Sequence, residues 1–252
     1  MSSRLQGHVA LVTDALHGIG RAVVLELASR GAHVIAFARN RDSLAPLEVE
    51  IAGMGAAMTP FSGDVTDPRD IQRLAGFVFE TWQRLDIMVG NAAIIGQRTT
   101  LAELDDADWE EVIATHITVN WRLVRRMDPL LREADAGRVI FITPGSGSDV
   151  DPAQGRGAHA LSNATLDTIA RTYAAETATT PIRVMLCNPG PMRTGVATGM
   201  RAAIRPDEDP MSLKTPADFA PKVADMCTPE WQMTGKLYDF PQDRLLNFRA
   251  PD

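Results

Sequence analysis

The segment Thr13–Gly20, which reads T-D-A-L-H-G-I-G, carries residue types that suit the binding of a phosphate group. Glycines such as Gly18 and Gly20 let a backbone approach a ligand closely, and the start of a helix offers N–H groups and a partial positive charge. Asp14 stands where the usual pattern has its first glycine. We expect its carboxylate to cap the following helix and to occupy or repel the phosphate, so that Asp14→Gly would strengthen binding.

Short β-branched runs alternate with helical patterns along the chain. Strands are predicted at His8–Val12, His33–Phe37, Met58–Phe61, Asp86–Val89, Arg138–Thr143, Ile182–Asn188 and Lys236–Phe240. Helices are predicted at Gly18–Arg30, Ser43–Met54, Thr66–Arg84, Trp109–Glu133 and Gly157–Ala178. This order predicts an α/β, doubly wound Rossmann fold whose parallel sheet has about seven strands, with helices on both faces. Ligands of such sheets bind at the carboxyl ends of the strands.

The predicted helix Thr66–Arg84 carries apolar residues at helical spacing. They are Ile71, Leu74, Ala75, Val78, Phe79 and Trp82. We expect all six to form one continuous stripe in the hydrophobic core.

Composition restricts the class of protein. The chain has 252 residues, of which 45% are hydrophobic and 23% charged, and it contains no linker-like stretch, so a single domain over residues 1–252 is expected. The net charge of −7 is spread along the sequence, which argues against nucleic acid and anionic membranes as partners. No signal-type or membrane-spanning apolar run is present, so a cytoplasmic location is expected. Cys187 and Cys227 lack metal-site spacing and are predicted to be inert thiols.

The residues that follow the predicted strands point to a dinucleotide. Arg39 follows the second strand, where a cofactor with free ribose hydroxyls would require an acidic residue. Arg39 is placed to pair with a 2′-phosphate, assisted by His17, so NADP(H) is expected over NAD(H). Asp64-Val65 follows the third strand, Gly90-Asn91-Ala92-Ala93 the fourth, and Asn188–Thr194 the sixth.

Taken together, these motifs resemble the short-chain dehydrogenase/reductase family over nearly the whole chain, and within it the bacterial YciK-type group. The family's glycine motif matches Thr13–Gly20 with one change, and its Asn-Asn-Ala-Gly motif is similar to Gly90–Ala93. Its Pro-Gly-x-x-x-Thr motif is intact at Pro189–Thr194, and its late x-T-G-x-x-x-D segment is similar to Met233–Asp239. The resemblance implies NADP(H) contacts by Asp14, His17, Gly18, Ile19, Gly20, Arg39, Asp64, Val65, Asn91, Pro189, Gly190 and Thr194. It also places a substrate loop at about residues 191–215, where Met200, Arg201 and Arg205 would suit an acidic or CoA-bearing substrate.

The catalytic tetrad of that family, Asn, Ser, Tyr and Lys, aligns with different residues here. His116 stands at the asparagine position, His159 at the tyrosine and Asn163 at the lysine, while Ser146 or Pro144 occupies the serine position. Tyr173 lies too far along its helix to replace the tyrosine.

Three functions remain open for such a site. A histidine titrates near pH 6.5 without a lysine, so His159, with His116 and Ser146 polarising an oxygen and Asn163 binding ribose, could sustain carbonyl/alcohol redox chemistry. The chain could instead be a catalytically inactive structural or regulatory subunit of a homodimer or homotetramer, or of a hetero-oligomer with an active paralogue. The third possibility is a cofactor-independent, histidine-based dehydratase or isomerase.

Overall fold

A computed structural model describes residues 4–94, 96–97, 99–143, 157–194 and 209–247 of the chain. Within these ranges the side chains of residues 159, 160 and 210 are not described. Pro144, Ser146, Met200, Arg201 and Arg205 therefore lie outside the described residues, as does the larger part of the predicted substrate loop.

Eight strands form one sheet, in the order β3-β2-β1-β4-β5-β6-β7-β8. The strands are β1 (Val9–Thr13), β2 (His33–Ala38), β3 (Met58–Ser62), β4 (Ile87–Gly90), β5 (Arg138–Ile142), β6 (Arg183–Asn188), β7 (Lys236–Asp239) and β8 (Arg244–Asn247). Strands β1 to β7 pair in parallel, which confirms the predicted doubly wound sheet. The chain moves outward from β1 to β3 and then returns to β4, so the crevice beside β1 is the point at which the strand order reverses.

Strand β8 was not predicted from the sequence. It pairs antiparallel to β7 after a short turn in which Asp243 adopts a left-handed conformation, with φ of 45°. Its residues are mostly exposed, and Leu245 keeps 37% of its surface accessible. A short exposed edge strand needs no continuous apolar run, and so it leaves little signal in the sequence.

The helices cover both faces of the sheet. On one face lie α1 (Gly18–Ser29), α2 (Ala45–Gly53) and α7 (Pro216–Met226), and on the other α3 (Pro68–Trp82), α5 (Val119–Arg132) and α6 (Gly157–Glu176). The helix predicted over Trp109–Glu133 is divided: α4 (Asp106–Ile113) passes through a π-helical segment, Ala114–Thr118, into α5. No helix within the described ranges has the length and apolar character needed to cross a membrane.

The apolar stripe predicted on α3 is only partly correct. Ile71, Leu74 and Val78 are buried, but Phe79 leaves 61% of its surface exposed. Successive residues of a helix point about 100° apart, so Phe79 turns away from the face that Val78 packs against the sheet.

Two substitutions on α3 should therefore differ sharply. Leu74→Ala is expected to lower the free energy of unfolding by about 2–5 kcal/mol, because it leaves a cavity in a packed core. Phe79→Ala, on the same helix, should change it by about 0.5 kcal/mol or less. Urea denaturation of both variants measures the difference, and equal losses would contradict this assignment of the buried face.

Candidate functional site

The turn between β1 and α1 lies in the crevice where the strand order reverses. Gly18, the first residue of α1, has a left-handed backbone with φ of 52°. A Cβ added to Gly18 would lie 3.5 Å from Cγ2 of Thr194, so the turn and the segment after β6 face each other closely. At Gly20 an added Cβ would overlap the carbonyl oxygen of Asp14, so only glycine fits there.

The structure does not show the expected cap of α1 by Asp14. His17 is the capping residue, and its side chain makes no capping hydrogen bond. Within the described part of the chain, the Asp14 carboxylate accepts no hydrogen bond from the start of the helix either. The helix start therefore keeps N–H groups that an anion can use, and the prediction of a carboxylate cap is wrong.

Asp14 lies instead within electrostatic range of His17 and Arg39. Its backbone is left-handed, with φ of 51°, a conformation that aspartate tolerates better than most residues. The residue is exposed, yet the protein atoms around the carboxyl group desolvate it, and this raises its pKa. The charges of His17 and Arg39 oppose that rise and lower the pKa in part.

Thr13 and Asn91 hold this turn against the end of β4. The fully buried Thr13 hydroxyl accepts hydrogen bonds from the backbone N–H of Asn91 (3.0 Å) and of Ala92 (3.2 Å). In return, Nδ2 of Asn91 donates to the carbonyl oxygens of Thr13 (3.2 Å) and Asp14 (3.3 Å). Asn91 therefore positions the turn with its side chain, a role that the motif alone did not show.

Arg39 and Asp64 lie at the neighbouring strand ends. Arg39 is exposed just beyond β2 and forms no salt bridge with any residue that the structure describes. The Asp64 carboxylate accepts hydrogen bonds from the N–H (2.8 Å) and hydroxyl (2.7 Å) of Thr66, which lower the pKa of its carboxyl group, and the charge of Arg39 lowers it further. Val65, beside Asp64, packs partly against the core.

The segment Pro189–Thr194 is held by a buried pair at the ends of β6 and β7. Nδ2 of Asn188 donates to Asp239 at 2.9 Å, and its Oδ1 accepts from the N–H of Gly190 at 2.9 Å. Gly190 has φ of 66°, and an added Cβ there would overlap Pro241. Thr194 is thereby presented to Gly18, and both residues line a groove of about 1050 Å³ between α1 and α7.

His116 is a buried cross-link. It lies in the π-helical segment with 2% of its surface exposed. Its Nε2 lies 2.7 Å from the carbonyl oxygen and 3.0 Å from the nitrogen of Ile94, and Nδ1 lies 3.0 Å from the Ser162 hydroxyl. Both ring nitrogens thus contact the protein, which departs from the expectation that His116 polarises a substrate oxygen.

Burial is the main influence on the protonation of His116. Desolvation lowers the pKa of the imidazole, while hydrogen bonds with the Ile94 backbone and the Asn163 side chain oppose this effect. Asn163 is itself 2% exposed, inside α6. The site therefore favours a neutral His116 packed against the chain.

Sequence reasoning missed three partners of His116, namely Ile94, described above, Asn120 and Ser162. The side chain of Asn120 donates to the His116 carbonyl oxygen at 2.7 Å, and Ser162 holds the ring. Asn120 follows His116 by one helical turn, a spacing that could have indicated the contact. Ser162 is distant in sequence, and nothing short of the fold brings it to the ring.

The remaining predicted residues lie on or near α6. His159 belongs to the first turn of α6, one helical turn before Asn163. Tyr173 lies far along the same helix and is buried. Its hydroxyl donates a hydrogen bond to the Asp128 carboxylate at 2.9 Å. It thus contributes to packing between α5 and α6.

The free energy of unfolding should decrease as the pH is lowered, because His116 titrates differently in the folded and unfolded chain. Its lowered pKa means that the folded chain binds this proton more weakly than the unfolded chain does. The stabilisation is complete above the ordinary imidazole pKa of about 6.5 and is lost as the pH falls from there through the lower folded pKa, by at most about 1.4 kcal/mol per pH unit. We expect His116→Gln to flatten the pH dependence of the unfolding free energy in this range.

A matched control separates titration from the loss of a contact. Ser162→Ala removes a hydrogen bond to the ring but keeps the buried imidazole, so it should lower stability and retain the pH dependence. Burial also lowers the pKa of His33, which is present in every variant, so the difference between variants isolates His116. A wild-type slope in His116→Gln would contradict the assignment.

Comparison with known proteins identifies the family. Residues 8–207 match the family model described as short chain dehydrogenase. The chain is 32% identical to the oxidoreductase YciK of Escherichia coli K12 over 86% of its length and 84% of the relative's. It is also 32% identical to the oxidoreductase UcpA of Salmonella typhimurium, over 84% of the chain and 79% of the relative.

Solved structures agree with this result. A short-chain dehydrogenase of Shigella flexneri complexed with NADP superposes with a TM-score of 0.86 at 30% identity, covering 95% of this chain and 99% of that one. One from Escherichia coli CFT073 complexed with NADPH gives 0.85 at 30% identity, covering 95% and 99%. The chain therefore belongs to the short-chain dehydrogenase family.

Proposed function

We propose that this chain binds NADP(H) across the carboxyl ends of β1, β2 and β6. The observation that carries the proposal is the start of α1, which has no described side-chain cap and faces Thr194 across Gly18. A dinucleotide pyrophosphate suits such a helix start, because N–H groups and the helix dipole both favour negative charge. The relatives solved with NADP and NADPH support the same cofactor class.

The cofactor contacts follow from the strand ends. Gly18, Ile19 and Gly20 would receive the pyrophosphate, and Arg39 with His17 the 2′-phosphate. The resemblance to the family assigns the adenine end to Asp64 and Val65. It assigns the nicotinamide end to Asn91, Pro189, Gly190 and Thr194.

We infer that any chemistry is carbonyl/alcohol oxidoreduction with an altered proton donor. Bound NADP(H) supplies or accepts the hydride in such a reaction. His116 and Asn163 are buried against each other, so they position α6 and the π-helical segment and leave His159 as the candidate acid–base group. A histidine can transfer a proton near neutral pH without the lysine that a tyrosine requires.

A second function, that of a non-catalytic subunit, is favoured by the geometry of His116. Both ring nitrogens of His116 are hydrogen-bonded to the protein, so neither is available to contact a substrate. Such a chain would keep its packing residues and assemble with itself or with an active paralogue. Purification from the native host would support this function if a related chain with an intact Tyr-x-x-x-Lys motif co-purified.

The cofactor proposal is tested by Arg39→Gln. Losing a charge-assisted contact to the 2′-phosphate should weaken NADPH binding about 10- to 100-fold, whereas NADH, which lacks that phosphate, should bind with nearly unchanged affinity. Isothermal titration calorimetry measures both. Arg41→Gln, at an exposed neighbouring position, is the matched control and should leave NADPH affinity unchanged. An equal loss for both cofactors in Arg39→Gln would contradict the assigned contact.

The catalytic proposal is tested by His159→Ala. NADPH oxidation in the presence of a panel of ketones and aldehydes should slow about 10²–10⁴-fold if His159 transfers the proton. NADPH affinity should change little, because the proposed cofactor contacts lie elsewhere. Thr168→Ala, on an exposed position of α6, serves as the control. Wild-type protein that binds NADPH but turns over no member of the panel would favour the subunit instead.

A further inference from the structure

The negatively charged carboxylate of Asp14 lies in the turn at which a phosphate group would bind. The residues around the carboxylate show which charges act on it. No described N–H at the start of α1 donates to it. The charges that act on it are those of His17, within the same turn, and Arg39, beyond β2. The two groups assigned above to the 2′-phosphate thus act on this carboxylate through their charge, without a described ion pair.

Backbone contacts fix this arrangement. Strands β1 and β2 pair in parallel with Thr13 opposite Phe37. Beyond that pair, the N–H of Ala15 donates to the Phe37 carbonyl oxygen at 3.1 Å, so the turn that carries Asp14 runs beside the end of β2 that leads to Arg39. Asn91 holds the Asp14 carbonyl oxygen from the other side. The backbone of Asp14 is therefore fixed beside the end of β2, two residues before Arg39.

A second carboxylate, that of Asp64, also interacts with the charge of Arg39, but it already accepts hydrogen bonds from Thr66. Asp64 accepts two hydrogen bonds from Thr66, and the charge of Arg39 lowers the pKa of its carboxyl group. The Asp14 carboxylate accepts no hydrogen bond from any described residue, although its backbone carbonyl oxygen accepts one from Asn91. Arg39 acts on both carboxylates, and of the two only that of Asp14 has no described hydrogen bond and lies in the turn that leads into α1.

We propose that Asp14 competes internally with the 2′-phosphate for Arg39 and His17, and so limits the preference of this chain for NADP(H) over NAD(H). The inference rests on the proposed NADP(H) binding. Without cofactor, the carboxylate partly neutralises the two groups. A bound 2′-phosphate must share them with Asp14 and meets its negative charge. NAD(H) has no phosphate at this position and is not subject to this competition.

The test is calorimetric titration of wild type and Asp14→Asn with NADPH and with NADH. Asparagine keeps the size of the side chain and tolerates the left-handed backbone, so only the charge changes. Equal thermal unfolding midpoints would verify that the fold is kept. We expect NADPH affinity to rise about three- to fivefold, the range typical of exposed charge pairs, with NADH affinity unchanged. The gain should become smaller when Asp14→Asn is combined with Arg39→Gln, because the competition for Arg39 is then absent.

Other outcomes overturn the inference. An equal gain for NADPH and NADH would show that Asp14 repels the pyrophosphate and not the 2′-phosphate, and it would leave the proposed function intact. Unchanged affinity for both cofactors, or an undiminished gain in the presence of Arg39→Gln, would show that Asp14 does not act through Arg39. Failure of NADPH to bind wild type and Asp14→Asn alike would overturn the proposed function, and the inference with it.

Discussion

The site depends on the hydrogen bonds that join the ends of β1 and β4 at the point where the sheet reverses its strand order. The buried Thr13 hydroxyl accepts the N–H groups of Asn91 and Ala92, and the Asn91 side chain returns two bonds to the turn. Leaving the fully buried Thr13 hydroxyl without these partners would be costly. This set of hydrogen bonds holds the turn that carries Asp14 and Gly18 against the end of β4.

The two halves of the site differ in character. At the cofactor half, an exposed Arg39 and a helix start without a described side-chain cap remain available to a ligand. At the other half, His116 and Asn163 are buried, and the ring of His116 links the segment after β4 to α6. Burial of a neutral imidazole with both nitrogens bonded to the protein stabilises the fold there. This contrast favours cofactor binding more strongly than it favours any one reaction.

The sequence predicts the parallel strands well, because strands buried on both faces are continuous apolar runs. Prediction from the sequence fails where solvent exposure determines whether a residue belongs to a strand or to the core. Strand β8 is mostly exposed and was missed, while Phe79 is apolar and was wrongly placed in the core. Motifs placed Asp14, Arg39 and Thr194 at strand ends, and the structure brings these strand ends to one edge of the sheet.

Side-chain contacts between distant segments could not be predicted in this way. Ile94 and Ser162 reach His116 only through the fold, and the π-helical segment has no recognised sequence signal. Asp14 has a left-handed backbone and lies within electrostatic range of His17 and Arg39, which residue type alone does not reveal, and so the sequence led to the incorrect helix cap.

The central claim is that the start of α1 still receives a dinucleotide pyrophosphate although Asp14 replaces a glycine. The most direct measurement is the change in backbone amide NMR resonances during titration with NADPH. We expect the resonances of Ile19 and Gly20 to shift saturably, while that of Leu245, on the distant edge strand β8, stays in place. Unchanged resonances at Ile19 and Gly20 in saturating NADPH would contradict the account.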